Sequence, residues 1–149
     1  MSRMKKLLLS LTLAALSVPA IAFACPGAHE SKVAELSTQD AGKRAQSKKA
    51  TFVDANGSDT RDKWGVVPGA ILLTSASEFA ATELPADKAQ KLVFYCANTH
   101  CPASHMAAEK AMERGYTDVA VLPEGIMGWK NAGLPTIAPT KVAPKKTQS

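Results

Sequence analysis

The chain has 149 residues, 46% hydrophobic and 21% charged, which suits one globular domain with a single core and excludes a long disordered or fibrous protein. Only 5% of residues are aromatic, so Ala, Val, Leu and Ile must supply most of that core. The formal charge is +5, but three of those cations stand in the first six residues.

That N-terminal stretch reads as a targeting segment. Arg3, Lys5 and Lys6 precede an apolar run from Leu7 to Ala20, and Ala22-Phe23-Ala24 forms an A-x-A cleavage pattern. The run is short for a membrane span and is interrupted by Pro19. Residues 1–24 are therefore expected to be a signal peptide, and the chain to be exported, with the periplasm as its compartment. Cleavage leaves a formal +5 less three, or +2, too weak a charge to argue for nucleic acid. Cys25 stands directly at the cut, which raises the alternative of a lipid anchor there. The bulky Phe23 two residues before it fits an ordinary signal peptidase better.

Residues 25–33 read as a flexible lead, and the domain is expected over 34–136. Ser37 or Thr38 caps a short helix running to about Ser47. Thr51-Phe52-Val53 is a strand ending at Asp54, and Gly57-Ser58 a turn. Gly65 to Gly69 is turn-rich and leads into an apolar strand, Ala70 to Leu73. Ser75 to Ala81 is expected to be a short helix, and Leu84 to Asp87 a turn. Leu92-Val93-Phe94-Tyr95 is a continuous apolar run, the mark of a strand buried on both faces. Cys96 to Cys101 is a polar loop. Pro102 suits the start of a helix, Ala103 to Arg114 carries it, and Gly115 caps its end. Val119 to Leu122 is another strand and Gly125 to Ala132 a last short helix. Residues 137–149, rich in Lys and Pro, are expected to be disordered. Strands alternating with helices imply an α/β sandwich over a parallel sheet.

The chemistry is concentrated where a cysteine ends the buried strand. In such sheets the ligand crevice lies beyond the strand carboxyl ends. Loop amides following Cys96 can form an anion-binding nest, and the next helix adds positive charge at its N-terminus. Both favour the thiolate, which is the nucleophile. The alternative is that Cys96 is merely a small core residue.

Five segments in order resemble the rhodanese-like family over about residues 34 to 136. They are Val53-Asp54-Ala55-Asn56, Gly65-Val66-Val67-Pro68-Gly69-Ala70, Tyr95-Cys96, Glu124-Gly125-Ile126-Met127-Gly128-Trp129 and Gly133-Leu134-Pro135. The resemblance implies a three-layer sandwich, a mostly parallel central sheet with helices on both faces. It implies a thiosulfate sulfurtransferase-like enzyme, with Cys96 as catalytic nucleophile carrying sulfur as a persulfide between a small-molecule donor and a thiol or cyanide acceptor. Loop residues Ala97, Asn98, Thr99, His100 and Cys101 would bind the donor, and Asp54 would support the neighbouring turn. No cofactor or metal is implied. The chain departs from the family pattern: Asn56 and Cys101 stand where cations are common, Val66 where His is usual, Thr99 where the loop has Gly, and Glu124 where the Trp motif has its first Gly. An anionic donor is therefore expected to bind weakly unless His100 or Arg61 supplies charge.

Two other readings stay open. Cys96 and Cys101 form a C-x4-C pair, so Cys101 is a possible resolving cysteine and the protein a thiol redox protein. Cys96, His100, Cys101 and His105, with Cys25 and His29, also suggest a non-catalytic metal- or partner-binding module, although the spacing is unlike structural zinc sites.

Overall fold

The computed structural model describes residues 33–140. The expected signal peptide, Cys25, His29, nearly all of the expected lead and the last nine residues of the tail lie outside the described residues.

Five parallel strands form one sheet in the order β1-β5-β4-β2-β3: β1 (Ala34–Glu35), β2 (Thr51–Asp54), β3 (Ile71–Leu72), β4 (Leu92–Tyr95) and β5 (Val119–Leu122). Helices α1 (Thr38–Gln46), α2 (Ser58–Trp64), α3 (Ala103–Glu113) and α4 (Gly125–Asn131) connect and cover them. β4 lies at the centre, and all four of its residues are fully buried. Its uninterrupted apolar run follows from that position, since both faces are covered. Alternate residues feed two cores. Val53, Leu92, Phe94 and Val121 pack with Ala107, Ala108 and Ala111 of α3, whose small side chains let the helix lie close. Phe52, Val93, Tyr95 and Leu122 pack with Ala41 of α1 and Ile126 and Trp129 of α4. Phe52 and Trp129 meet edge to face with centroids 5.4 Å apart. The sheet is thus sandwiched by helices, as the pattern of strands and helices implies.

Ser37 caps α1, its hydroxyl accepting the Asp40 N–H at 3.2 Å. Gly115, with φ +91°, follows α3 in the left-handed conformation that stops a helix. Four expectations need correction. Gly57-Ser58 is not simply a turn but opens α2, which buries no residue and so shows no apolar periodicity. Ser75 to Ala81 is not a helix. The Glu83 carboxylate accepts the Thr74 N–H, the Thr74 hydroxyl and the Ala80 N–H at 2.7–2.8 Å, closing a loop that ends in a 3-10 turn, Ala81–Glu83. Phe79 is buried from that loop. The ordered domain also reaches past its expected limits. Val33 is buried in the core ahead of β1. Ile137 exchanges both backbone hydrogen bonds with Val66, at 2.9 and 3.0 Å, so the tail is anchored at its first residue. Gly65 permits this crossing: its φ is +78°, and a Cβ there would lie 2.9 Å from the Ile137 carbonyl oxygen.

Among the described residues no helix is long and apolar enough to cross a membrane.

Candidate active site

β4 delivers Cys96 to the carboxyl edge of the sheet. The loop then turns over it, and α3 starts beyond Pro102, whose φ of −80° suits a helix start. Cys96 is fully buried. Its Sγ lies 2.9 Å from the Cys101 carbonyl oxygen, which accepts from the thiol, and 3.3 Å from the Ser104 hydroxyl. The Ser104 N–H, in the first turn of α3, also donates to this sulfur.

The loop is fixed from below by α4. The N–H groups of Ile126 and Met127 donate to the carbonyls of Cys96 and Ala97 at 2.9 and 3.1 Å. Only glycine fits at 125. Its φ is +60°, and a Cβ would come within 2.5 Å of the Cys96 carbonyl oxygen. Gly128 is required for space instead, because its Cβ would meet Glu124 Cβ at 2.3 Å. Asn98 organises the loop from inside: its side-chain oxygen accepts the His100 N–H at 3.0 Å, and its carbonyl accepts the Cys101 N–H at 3.1 Å.

The electrostatics differ from the expectation of a stabilised Cys96 thiolate. Burial pushes the Cys96 thiol above its ordinary value, against the lowering effect of the Ser104 hydroxyl and N–H. The expected nest does not close on Cys96 alone, since Asn98 takes two of the loop amides. Cys101 is only half-buried. Burial acts against its ionisation too, but N–H groups of Ala97 and Ala103 donate to its sulfur, the neighbouring Cys96 thiol lowers it as well, and the net direction is down. The two cysteines are neighbouring free thiols, and the first proton leaves from the Cys101 side.

The remaining candidates separate from the loop. Asp54 is buried. Its carboxylate accepts the Asn56 N–H at 2.7 Å and the Arg61 Nε–H at 3.2 Å. Arg61 also donates to the carbonyls of Asp54 and Leu73, at 3.0 and 2.9 Å. Arg61 is thus committed to that corner. The Tyr95 hydroxyl accepts the Val67 N–H at 3.1 Å, and burial together with the nearby Asp54 charge drives the phenol far above its usual range. His100 and Thr99 are exposed on the loop. His105 faces Glu35 at 3.4 Å. Among the described residues no three His, Cys, Asp or Glu side chains converge as a metal site. A groove of about 860 Å³ runs beside β3, lined by Arg61, Ile71, Leu73, Ile137 and Pro139 among others, and includes no residue of the cysteine loop.

Sequence reasoning missed Ser104, Gly125, and the amides of Ala103, Ile126 and Met127. A serine two residues after Pro102 is the one signal that pointed to a donor in the first turn of α3. The backbone donors carry no signature of their own.

The sequence profile of the rhodanese-like domain matches residues 37–132, well over half of the chain. The chain belongs to the rhodanese-like domain family. Solved structures agree on the fold. The rhodanese-like domain of an Anabaena protein aligns with a TM-score of 0.59 at 18% identity, covering 77% of this chain and 87% of that one. A protein of unknown function from Rhodopseudomonas palustris, described as a possible tyrosine phosphatase, aligns with a TM-score of 0.60 at 24% identity, covering 72% and 86%. A thiosulfate sulfurtransferase from Pseudomonas aeruginosa aligns with a TM-score of 0.58 at 22% identity, covering 70% of this chain but only 20% of that longer one. A search of curated proteins found no match. The rhodanese-like assignment places the chain in a sulfurtransferase-like family.

Proposed function

We propose that this rhodanese-like domain is a sulfurtransferase that moves sulfane sulfur from an anionic donor such as thiosulfate to a thiol or cyanide acceptor through a persulfide on Cys96. The observation that carries the reading is the position of Cys96, at the end of the central strand, beneath its own loop, with two donors of Ser104 on its sulfur. In the first step the Cys96 thiolate attacks the outer sulfur of thiosulfate. A sulfur–sulfur bond forms to Cys96, the bond to the sulfonate breaks, and sulfite leaves with the electron pair. In the second step an acceptor attacks the outer sulfur of the persulfide and Cys96 leaves as thiolate. Splitting the transfer in this way is covalent catalysis. The α3 N-terminus favours the negative charge of the persulfide. Residues Ala97 to Cys101 line the donor's approach, and because Cys96 is fully buried this segment must yield for the donor to enter.

A phosphate-transfer reading, suggested by the Rhodopseudomonas protein, is disfavoured by charge. Between Cys96 and Cys101 the sequence supplies no lysine or arginine, only His100, and Arg61 is held by Asp54. The test is the mass of the tryptic peptide 92–110 after exposure to thiosulfate and cyanide turnover. A transient gain of one sulfur is expected, and Cys96→Ser should lose both the adduct and thiocyanate formation. Unchanged thiocyanate formation by Cys96→Ser would reject the assignment.

The reading extends to location. The basic start, the apolar run and the A-x-A sequence support export before function, in the periplasm, with a small-molecule donor and a thiol acceptor as partners. N-terminal sequencing of the exported protein should begin at or near Cys25, and a lipid mass on Cys25 would mark a membrane anchor. Retention of Met1 on a cytoplasmic protein would refute export.

A further inference from the structure

Cys101 has no place in a simple two-step transfer, yet its sulfur is the best-solvated and best-supported nucleophile of the site. We propose that Cys101 makes this domain a sulfide-releasing enzyme: its sulfur attacks the inner sulfur of the Cys96 persulfide, expels hydrosulfide, and leaves a Cys96–Cys101 disulfide that an external dithiol reduces. The proposal rests on the persulfide reading of Cys96 and assigns the fate of that persulfide.

Four observations point the same way. The two thiols are neighbours, each shifting the other's ionisation, and the Cys96 thiol donates to the carbonyl of Cys101 itself, so Cys101 lies beside Cys96 Sγ, which becomes the inner sulfur of the persulfide. The loop's wrap, with the Cys101 carbonyl 2.9 Å from that sulfur, keeps the two residues together across four intervening positions. Backbone N–H groups of Ala97 and Ala103 hold the Cys101 sulfur and bring its thiol below the ordinary value, which favours its thiolate. Cys101 is also the partly exposed member, so a soluble dithiol can reach the resulting disulfide where it cannot reach buried Cys96.

The step balances. The bond between the Cys96 sulfur and the terminal sulfur breaks, and the pair goes to the terminal sulfur, which takes one proton and leaves as hydrosulfide. A bond forms between Cys101 and Cys96. The terminal sulfur is reduced from sulfane to sulfide, and the two cysteine sulfurs are oxidised together by two electrons. From the dithiol protein, one thiosulfate yields one sulfite, one sulfide and one disulfide. A dithiol reductant resets the pair by thiol–disulfide exchange. Hydrosulfide is a favourable leaving group because low-pKa thiols leave faster.

The experiment is a single anaerobic turnover of the reduced, desalted full-length protein with thiosulfate. Sulfite and sulfide are quantified, and the tryptic peptide 92–110, which contains both cysteines, is weighed. The wild type should release one equivalent of each product and give a peptide two hydrogens lighter. Cys101→Ser should release sulfite without sulfide and give a peptide one sulfur heavier, and Cys101→Ala should do the same. Sulfite without sulfide from the wild type, with the heavier peptide, would overturn the proposal and leave the persulfide reading standing. No sulfite from the wild type would overturn the persulfide reading itself. Persulfide fragments located on Cys101 would mean attack on the outer sulfur, and would also overturn the proposal.

Discussion

Two strand ends stand side by side in the sheet and close in opposite ways. β2 ends at Asp54 and β4 at Tyr95, paired in register, and each is followed by a turn and a helix. At the β2 end one oxygen of the Asp54 carboxylate, the Arg61 guanidinium, the Asn56 N–H and two carbonyls bind one another, while the other Asp54 oxygen and the Asn56 side-chain nitrogen are buried without a hydrogen-bond partner. At the β4 end the loop encloses two thiols whose partners are a serine, a carbonyl and a few amides. The same strand–turn–helix unit becomes a brace when it closes on an ion pair and a reactive pocket when it closes on sulfur. A family in which cations are common at positions 56 and 101 would have positive charge at both corners. This chain keeps only Arg61, bound to Asp54.

The largest effect on stability is expected at the brace. Asp54→Ala leaves the mostly buried Arg61 without its carboxylate, and breaking a buried ion pair by removing one partner costs about 3–5 kcal/mol. Urea denaturation should show the midpoint falling accordingly. A loss below about 1 kcal/mol would mean the corner is not a brace and the contrast with the cysteine corner is overstated.

A smaller cost is expected where the cysteine corner meets α4. Gly125→Ala forces a side chain into the left-handed region and against the Cys96 carbonyl oxygen. Gly69→Ala is its control, because Gly69 has φ +77° and nothing within 4 Å of its would-be Cβ. Each should lose about 1–3 kcal/mol from backbone strain. Only Gly125→Ala should also slow sulfite release, because the collision displaces the residue proposed to carry the persulfide. Equal slowing in both variants would show that strain in general, not support of the Cys96 loop, sets the rate.

Much of this was legible in sequence, and the parts that were not have physical causes. The run Leu92 to Tyr95 read as a buried parallel strand because four consecutive apolar residues permit little else, and it is the central strand. α3 announced itself by Pro102 and Gly115. α2 did not, because no residue from Ser58 to Trp64 is fully buried and a helix without an apolar stripe has no period to read. The anchoring of Ile137 was hidden among lysines and prolines, since a single backbone bridge leaves no pattern. At the site, the strand–cysteine–loop–helix order placed Cys96. It did not reveal which thiol is the more acidic, because that depends on where individual N–H groups point. The Ala97 and Ala103 amides are aimed at Cys101, and alanine spacing says nothing about aim.

The smallest expected effect tests the cysteine corner at its finest point. Ser104 is buried, and its hydroxyl lies 3.3 Å from Cys96 Sγ. It is the one side-chain donor that opposes the upward push of burial on that thiol. Ser104→Ala removes this donor but keeps the N–H of the same residue on the sulfur. The Cys96 thiol should therefore rise further. In the proposed reaction the thiolate attacks thiosulfate, so sulfite release should increase with pH until the thiolate is fully formed. The variant's rising limb should lie at higher pH, and its rate below that limb should fall about two- to tenfold, the kinetic equivalent of one hydrogen bond of about 0.5–1.5 kcal/mol. At pH values above both limbs the two proteins should converge, because neither then spends energy on deprotonation. The Cys101 thiol is held by other donors, Ala97 and Ala103, and its own reactivity toward a soluble alkylating agent should change little. Stopped-flow sulfite release across pH, with alkylation of each cysteine read on the peptide 92–110, separates the two sulfurs. A limb that stays in place or moves to lower pH would mean that Ser104 accepts from Cys96 rather than donating to it, and the thiol would then be held protonated by Ser104 rather than prepared for attack.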